Sequence, residues 1–293
     1  MTAAATLSTL TRRARQVWQE GRSDAELHHR MYAEWRGGLA EMGLPVLTGC
    51  RILDVGCGDR AQVSLLAAAD GGEVTAIDMR PIALGWRRPW MWFSLARENG
   101  PRAMARAIVR DVLHTIRYWR TLSRLAGHRL SFRGVSVRRA DATRLPFPDN
   151  SFDLVVSSAV WEHLEDVDAA TGEVNRVLAR DGIAVIQIAL FPALQGGHHW
   201  EWHSIDPTLS RSVRPWDHLY LDHLPYPVYL NEWREGQYRE ALTRKLQVLR
   251  WDDGELRGNG YLTTATEAEL SAYPRRDLLL SGVTVWAAKR QTS

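Results

Sequence analysis

Arg51-Ile52-Leu53-Asp54-Val55-Gly56-Cys57-Gly58-Asp59 is the stretch that decides the fold. After Arg51, Ile52, Leu53 and Val55 make a short apolar run of strand length interrupted by Asp54, two glycines follow, and Gln62 to Ala69 then reads as a helix. A strand that passes through a glycine turn into a helix opens a βαβ unit, and the glycines let its backbone come close to a ligand. Gly56-x-Gly58-x-x-Ala61, with Asp78 about 20 residues further on, also fits a dinucleotide fingerprint. Electrostatics separates the readings. Asp54 stands at the strand's end, where its carboxylate repels a pyrophosphate and attracts a cationic ligand.

Outward from this stretch, the short runs at 73–78, 135–140, 152–158 and 183–190 look like buried parallel strands, most of them separated by helical patterns. A helix at 231–243, a strand at 246–251, a helix at 266–273 and a strand at 283–288 complete the alternation. Strands alternating with helices imply right-handed crossovers and a doubly wound α/β sheet. Residues 6–43 read as two helices, the second running from Asp24 to Met42, opened by Ser23-Asp24 and stopped by Gly43-Leu44-Pro45. They define an N-terminal helical cap, 1–48, ahead of a core at 49–293. Two stretches are too long for plain connections: 79–133, read as a basic helical insertion over the ligand side of the sheet, and 191–230, read as a substrate lid.

The 293 residues suit one α/β core with insertions. Cys50 and Cys57 are the only cysteines, too few for a disulfide framework or a cysteine metal site. The first residues lack the apolar stretch of a signal peptide, and no apolar run reaches membrane-spanning length, so a cytoplasmic protein is expected. The net charge of +3 hides an asymmetry: residues 79–139 hold 14 arginines against Glu98 and Asp111. In the helix expected at 102–126, Arg102, Arg106, Arg110, Arg117, Arg120 and Arg124 share one face, and Ala105, Ile108, Val109, Val112, Ile116 and Trp119 share another. Trp86, Trp90 and Trp92 precede it. Residues 86–124 therefore suit peripheral contact with an anionic membrane or a grip on a phosphate-bearing or lipid-linked substrate, unless the arginines are simply solvated.

The Asp54-Val55-Gly56-Cys57-Gly58 motif resembles that of class I, Rossmann-like S-adenosylmethionine-dependent methyltransferases, and the resemblance runs from about residue 50 to 190. It implies a seven-stranded, mainly parallel sheet with S-adenosylmethionine as cofactor. By resemblance, Asp54, Gly56, Cys57 and Gly58 surround the methionine part. Asp78, with Met79 after it, takes both ribose hydroxyls, Asp141-Ala142 lie beside the adenine, and Ser158 completes the set. Leu145 to Asp153 is similar to the family's lead-in to the fourth strand, Trp161-Glu162-His163-Leu164 to its E-H-L box, and Val177 to Gly182 to the turn before the fifth strand. The long interval from Asp78 to Asp141 departs from the pattern.

Methyl transfer from a sulfonium is an in-line displacement dominated by positioning, with a base adding about 10²- to 10⁴-fold when the acceptor is a hydroxyl. His198 and His199, after the fifth strand, are the preferred bases, with His163 of the E-H-L box as the third candidate. His198, His199, Glu201 and His203 also have metal-binding chemistry, as in some sugar methyltransferases, but no E-x-x-H or H-E-x-x-H spacing supports it and no metal is expected. The aromatic stretch from Pro215 through Tyr226, Tyr229, Asn231 and Trp233 suits a sugar or polyketide ring. The expected acceptor is a small molecule, methylated on a saccharide or secondary-metabolite hydroxyl. The rivals are C- or N-methylation of a natural product, RNA methylation, and a non-catalytic cofactor-binding scaffold. Against nucleic acid, the fourth strand ends in Ser157-Ser158-Ala159-Val160 and not in the loop of base amino methylases.

Overall fold

The computed structural model describes residues 3–79, 101–203, 211–226 and 228–291. Seven strands, β1 (Arg51–Val55), β2 (Glu73–Asp78), β3 (Val135–Arg139), β4 (Phe152–Ser158), β5 (Leu178–Ala189), β6 (Leu246–Asp253) and β7 (Gly282–Lys289), form one sheet in the order β3-β2-β1-β4-β5-β7-β6. β1, β4 and β5 run parallel, with Leu53 opposite Val155 and Val155 opposite Ala184, whereas β7 is antiparallel to both β5 and β6. The chain leaves β1 to one side for β2 and β3 and returns to the other side for β4. That reversal makes the carboxyl ends of β1 and β4 the topological switch point, where open α/β sheets bind ligands.

The helices are α1 (Ala3–Glu41), α2 (Gln62–Ala69), α3 (Pro101–Leu125), α4 (Val167–Val177), α5 (Trp200–His203), α6 (Glu235–Lys245), α7 (Thr264–Glu269) and α8 (Arg275–Leu279). Contacts divide the chain into two compact units: Met1–Gly49 with Gly58–Val74 and Arg80–Val137, and Cys50–Cys57 with Thr75–Met79 and Arg138–Ser293. No helix among the described residues is long and apolar enough to cross a membrane.

In the first unit, α1 is one 39-residue helix and not the expected pair. Ser23-Asp24 does not open a second helix. Asp24 turns its carboxylate to His114 Nε2 on α3 at 2.9 Å, and Tyr118 of α3, fully buried, meets His28 Nδ1 at 2.8 Å. The expected stop does hold: α1 ends at Glu41, and Gly43, at φ +87°, lets Leu44 N–H donate back to Leu39 O. The faces of α3 differ from the helical-wheel reading. Val112 and Ile116, placed on the apolar face, are each 40% exposed, while Tyr118, Thr121 and Leu122, on another face, are buried. The expected orientation fails because α1, and not the periodicity of α3 alone, selects the covered face. The side chains of Arg102, Arg106 and Arg110, and all of Trp86, Trp90 and Trp92, lie outside the described residues.

The second unit is built on the central strands. Leu53, Val55, Val155, Ile186 and Ile188 pack with Val174 of α4 and with Tyr238 and Leu242 of α6. β5 begins at Leu178, within the expected turn, because Leu178 pairs with Phe152 ahead of a register shift. The helix expected at 266–273 is instead two short ones. Pro274 stands at the N-cap of α8, where its fixed φ is tolerated and a continuing helix is not. The described part of 191–230 has a core of its own, in which Leu194, Trp202 and Trp216 pack with Leu262, Leu270 and Leu278. Trp216, expected in a pocket wall, is fully buried, and its Nε1 donates to Leu278 O.

Candidate functional site

At the carboxyl end of β1 the chain turns through Gly56 (φ +71°) and Gly58 (φ +65°), a region that favours glycine. The N–H groups of Gly56 and Cys57 both donate to Ile77 O of β2, at 2.8 and 3.0 Å, which ties the turn to the neighbouring strand. Ser157 Oγ donates to Val55 O and ties it to β4. The two glycines have different duties. A Cβ at Gly56 would lie 2.2 Å from Val160 Cγ2, so the loop after β4 requires its absence, whereas a Cβ at Gly58 would meet nothing within 4 Å. Asp54 is buried in β1, 3% exposed, immediately before this turn.

Asp78 closes β2 and its carbonyl accepts from Ala140 N, so the ends of β2 and β3 bring Asp78 and Asp141 to adjacent positions. Asp141 Oδ1 accepts from Thr143 N and Thr143 Oγ1, which fixes its carboxylate. Ala142 beside it is buried and Met79 is exposed. Ser158 Oγ donates to Gln187 Oε1 across to β5. The carboxylates of Asp54, Asp78 and Asp141 match the chemistry of a ligand that presents an ammonium, ribose hydroxyls and an adenine amine, as S-adenosylmethionine does. Gly58 adds an approach free of side-chain atoms.

After β4 the backbone takes a left-handed residue, Ala159 (φ +55°), and a single 3₁₀ turn, Trp161–His163. Trp161 anchors it from the core, its Nε1 donating to Thr171 Oγ1 of α4. Asn231 clamps it from outside: Nδ2 donates to the carbonyls of Trp161 and Leu164, and its own N–H donates to Glu162 O. Tyr238 OH in turn donates to Asn231 Oδ1 at 2.7 Å. His163 Nδ1 lies 2.8 Å from Tyr229 O. A carbonyl only accepts, so Nδ1 carries the proton and the Nε2 of the neutral ring has a free lone pair. The His198 ring stands edge-on to His163, centroids 4.8 Å apart, on a residue held at φ +57°. Non-glycine residues in this region cluster at functional sites.

Glu162 completes the group. It is 2% exposed, and no side chain pairs with its carboxylate oxygens. Burial pushes its pKa up to about 8, countered only in part by the backbone N–H groups of Glu162 and Ala189. Sequence reasoning matched Glu162 to the E-H-L box and passed over its chemistry. The available signal was a carboxylate between tryptophan and histidine directly after a buried strand.

The structure brings His163 and His198 together and leaves His199 apart. His199 Nδ1 accepts from Glu201 N, and its side chain borders a cavity of about 20 Å³ with Trp202, His218 and Tyr226, room for about one water molecule. Among the described residues, the metal set weighed in the sequence does not assemble either. Glu201 spends its carboxylate on Ser212 N, Ser212 Oγ and Val213 N, and those bonds hold its pKa down, that from Val213 first. The side chain of His203 lies outside the described residues. His218, unremarked in the sequence as a titratable group, is buried, and burial lowers its pKa to about 4. Its neutral ring therefore donates from Nε2 to Phe191 O.

Residues 53–186 match the family model described as a methyltransferase domain. Among curated relatives, the malonyl-[acyl-carrier protein] O-methyltransferase of Geobacter sulfurreducens is 31% identical over 158 residues, 53% of this chain and 45% of that protein. The chloroplastic tocopherol O-methyltransferase of Arabidopsis thaliana is 25% identical over 183 residues, 62% and 39% of the two chains. The matches span between 29% and 50% of the curated relatives' own length. A solved S-adenosylmethionine dependent methyltransferase from Mesorhizobium loti aligns with a TM-score of 0.46 and 21% identity over 87% of this chain and 97% of that one. The glycine turn and the strands β2, β3 and β4 thus lie within a stretch, residues 53–186, that matches a methyltransferase domain.

Proposed function

We propose that the chain methylates a hydroxyl of a small, ring-containing acceptor, a saccharide or secondary metabolite, with S-adenosylmethionine as donor. The observation that carries this reading is the convergence of Glu162, His163 and His198 just beyond β4 and β5, on a loop that touches the glycine turn through Val160. The cofactor supplies a methyl group on a sulfonium. Asp54, Asp78 and Asp141 hold and orient it, and the cluster after β4 takes the acceptor's proton as the oxygen–carbon bond forms and the sulfur–carbon bond breaks. An unprotonated Nε2 on His163, fixed by the bond from Nδ1 to Tyr229, fits that task. The named relatives include O-methyltransferases and a C-methyltransferase of ubiquinone/menaquinone biosynthesis. A base placed at the acceptor side favours oxygen. The arginines of 79–139 support an acceptor that carries phosphate or a lipid anchor.

The test is turnover of His163→Ala and His198→Ala against a panel of hydroxylated ring acceptors, with cofactor affinity measured in parallel. A loss of about 10²-fold in turnover with affinity unchanged is expected of at least one variant, since a base acts mainly in the transition state. Near-normal rates in both would turn the assignment towards an amine or carbanion acceptor that needs no such base.

A further inference from the structure

We propose that Glu162, His163 and His198 form a divalent-cation site of the zinc type, with two imidazole nitrogens and one carboxylate oxygen as ligands and a further position left for the acceptor's oxygen. It concerns the acceptor side of the methyl-transfer reading above and deepens that reading.

Three observations converge. The ligand atoms of the three residues lie within 4.8 Å of one another. In a tetrahedral site with bonds of about 2.0–2.1 Å, ligand atoms stand roughly 3.4 Å apart, so side-chain movements of about 1 Å close the set. Secondly, the Glu162 carboxylate is buried with no side-chain partner, and among the described residues no lysine or arginine pairs with it. An isolated buried carboxylate is costly, and a cation bound by flanking imidazoles is the counter-charge this surrounding can accept. Thirdly, His163 already has the arrangement of a metal ligand. Its Nδ1–H is fixed on a backbone carbonyl, which orients the ring and leaves Nε2 as the ligating atom. The supporting layer is built as well, since Asn231 and Tyr238 hold the 3₁₀ turn that carries the first two ligands.

Two histidines and a glutamate suit zinc with an exchangeable fourth position. With the cation bound, His163 Nε2 is a ligand and no longer the base; the cation would bind the acceptor hydroxyl and lower its pKa, so that the proton leaves to water before the methyl group is transferred. The site escapes motif searches because Glu162 and His163 are adjacent on a 3₁₀ turn while His198 arrives from the loop after β5.

The experiment is zinc uptake by the full chain, stripped with chelator and dialysed against Zn²⁺, measured by plasma mass spectrometry and by calorimetric titration without acceptor. One zinc per chain is expected, with binding weakened about tenfold or more in Glu162→Gln and in His198→Ala and kept in His128→Ala, a change at an exposed histidine. Glu162→Gln keeps the shape of the protonated side chain, so its fold, checked by circular dichroism, should survive. Substitution with Co²⁺ should give the visible bands of a four-coordinate ion in the parent and not in either variant. No uptake, or uptake equal in parent and both variants, would overturn the site. Failure here is distinguishable from failure of the methyl-transfer reading. Zinc bound without methyl transfer would leave the site and remove the reading, while turnover that depends on His163 and His198 without zinc would do the reverse.

Discussion

Glu162 is the buried carboxylate of the proposed acceptor-side cluster, and its ionisation should be visible in stability. Its folded pKa of about 8 lies above its ordinary value of 4.5, so the folded state holds the proton more tightly than the unfolded state does. Its contribution is therefore fully present below about pH 4.5 and is lost as the pH rises through about 8. In metal-free protein, Glu162→Gln, which copies the protonated form, should match the parent near pH 4.5 and exceed it by roughly 3 kcal/mol or more at about pH 9, read from urea midpoints. A difference that stays constant across this range would contradict the burial argument. Little of this was legible in the sequence. The Glu-His pair was visible, but the burial of Glu162 is made by partners that arrive from far along the chain, Asn231 and Tyr238 above all. The placement of Asp54 at the strand's end and of Gly56 and Gly58 in the turn was legible because it is set by local backbone and by a short strand.

At the scale of elements, the close contact of α1 and α3 shows where periodicity stops being informative. Gly21 reads as a break in a helix, yet a Cβ there would lie 2.5 Å from the His114 carbonyl oxygen, so the glycine serves the approach of one helix to the other. Gly37, on the same helix, is exposed and would meet nothing within 4 Å. Alanine should gain about 0.5–1 kcal/mol of helix stability at either place, but at Gly21 the clash with backbone costs about 1–3 kcal/mol. Gly37→Ala should therefore stabilise and Gly21→Ala destabilise, as denaturant midpoints will show. Equal signs would mean that the contact relaxes freely. The central strands β4 and β5 were readable because buried parallel strands are largely apolar; β3, expected to be buried, lies at the sheet edge with no buried residue. The aromatic stretch after β5 was read wrongly in part, because Trp216 is equally suited to a pocket wall and to a core, and only packing against Leu278 decides.

For the whole molecule, the order β3-β2-β1-β4-β5-β7-β6 concentrates the ends of β1, β2, β3 and β4 on the residues expected to hold the cofactor. The alternation of elements gave the doubly wound architecture, while the reversed β7 depended on pairings that local patterns do not encode. The measurement that bears most directly on this reading is calorimetric titration of S-adenosylmethionine into the full chain and into Asp78→Ala. Removing a carboxylate proposed to accept from the ribose hydroxyls is expected to cost roughly 1.5–3 kcal/mol. One-site binding is expected in the parent, about tenfold or more weaker in the variant. No binding to the parent, or equal affinity in both, would contradict a cofactor site at the carboxyl ends of β1 and β2.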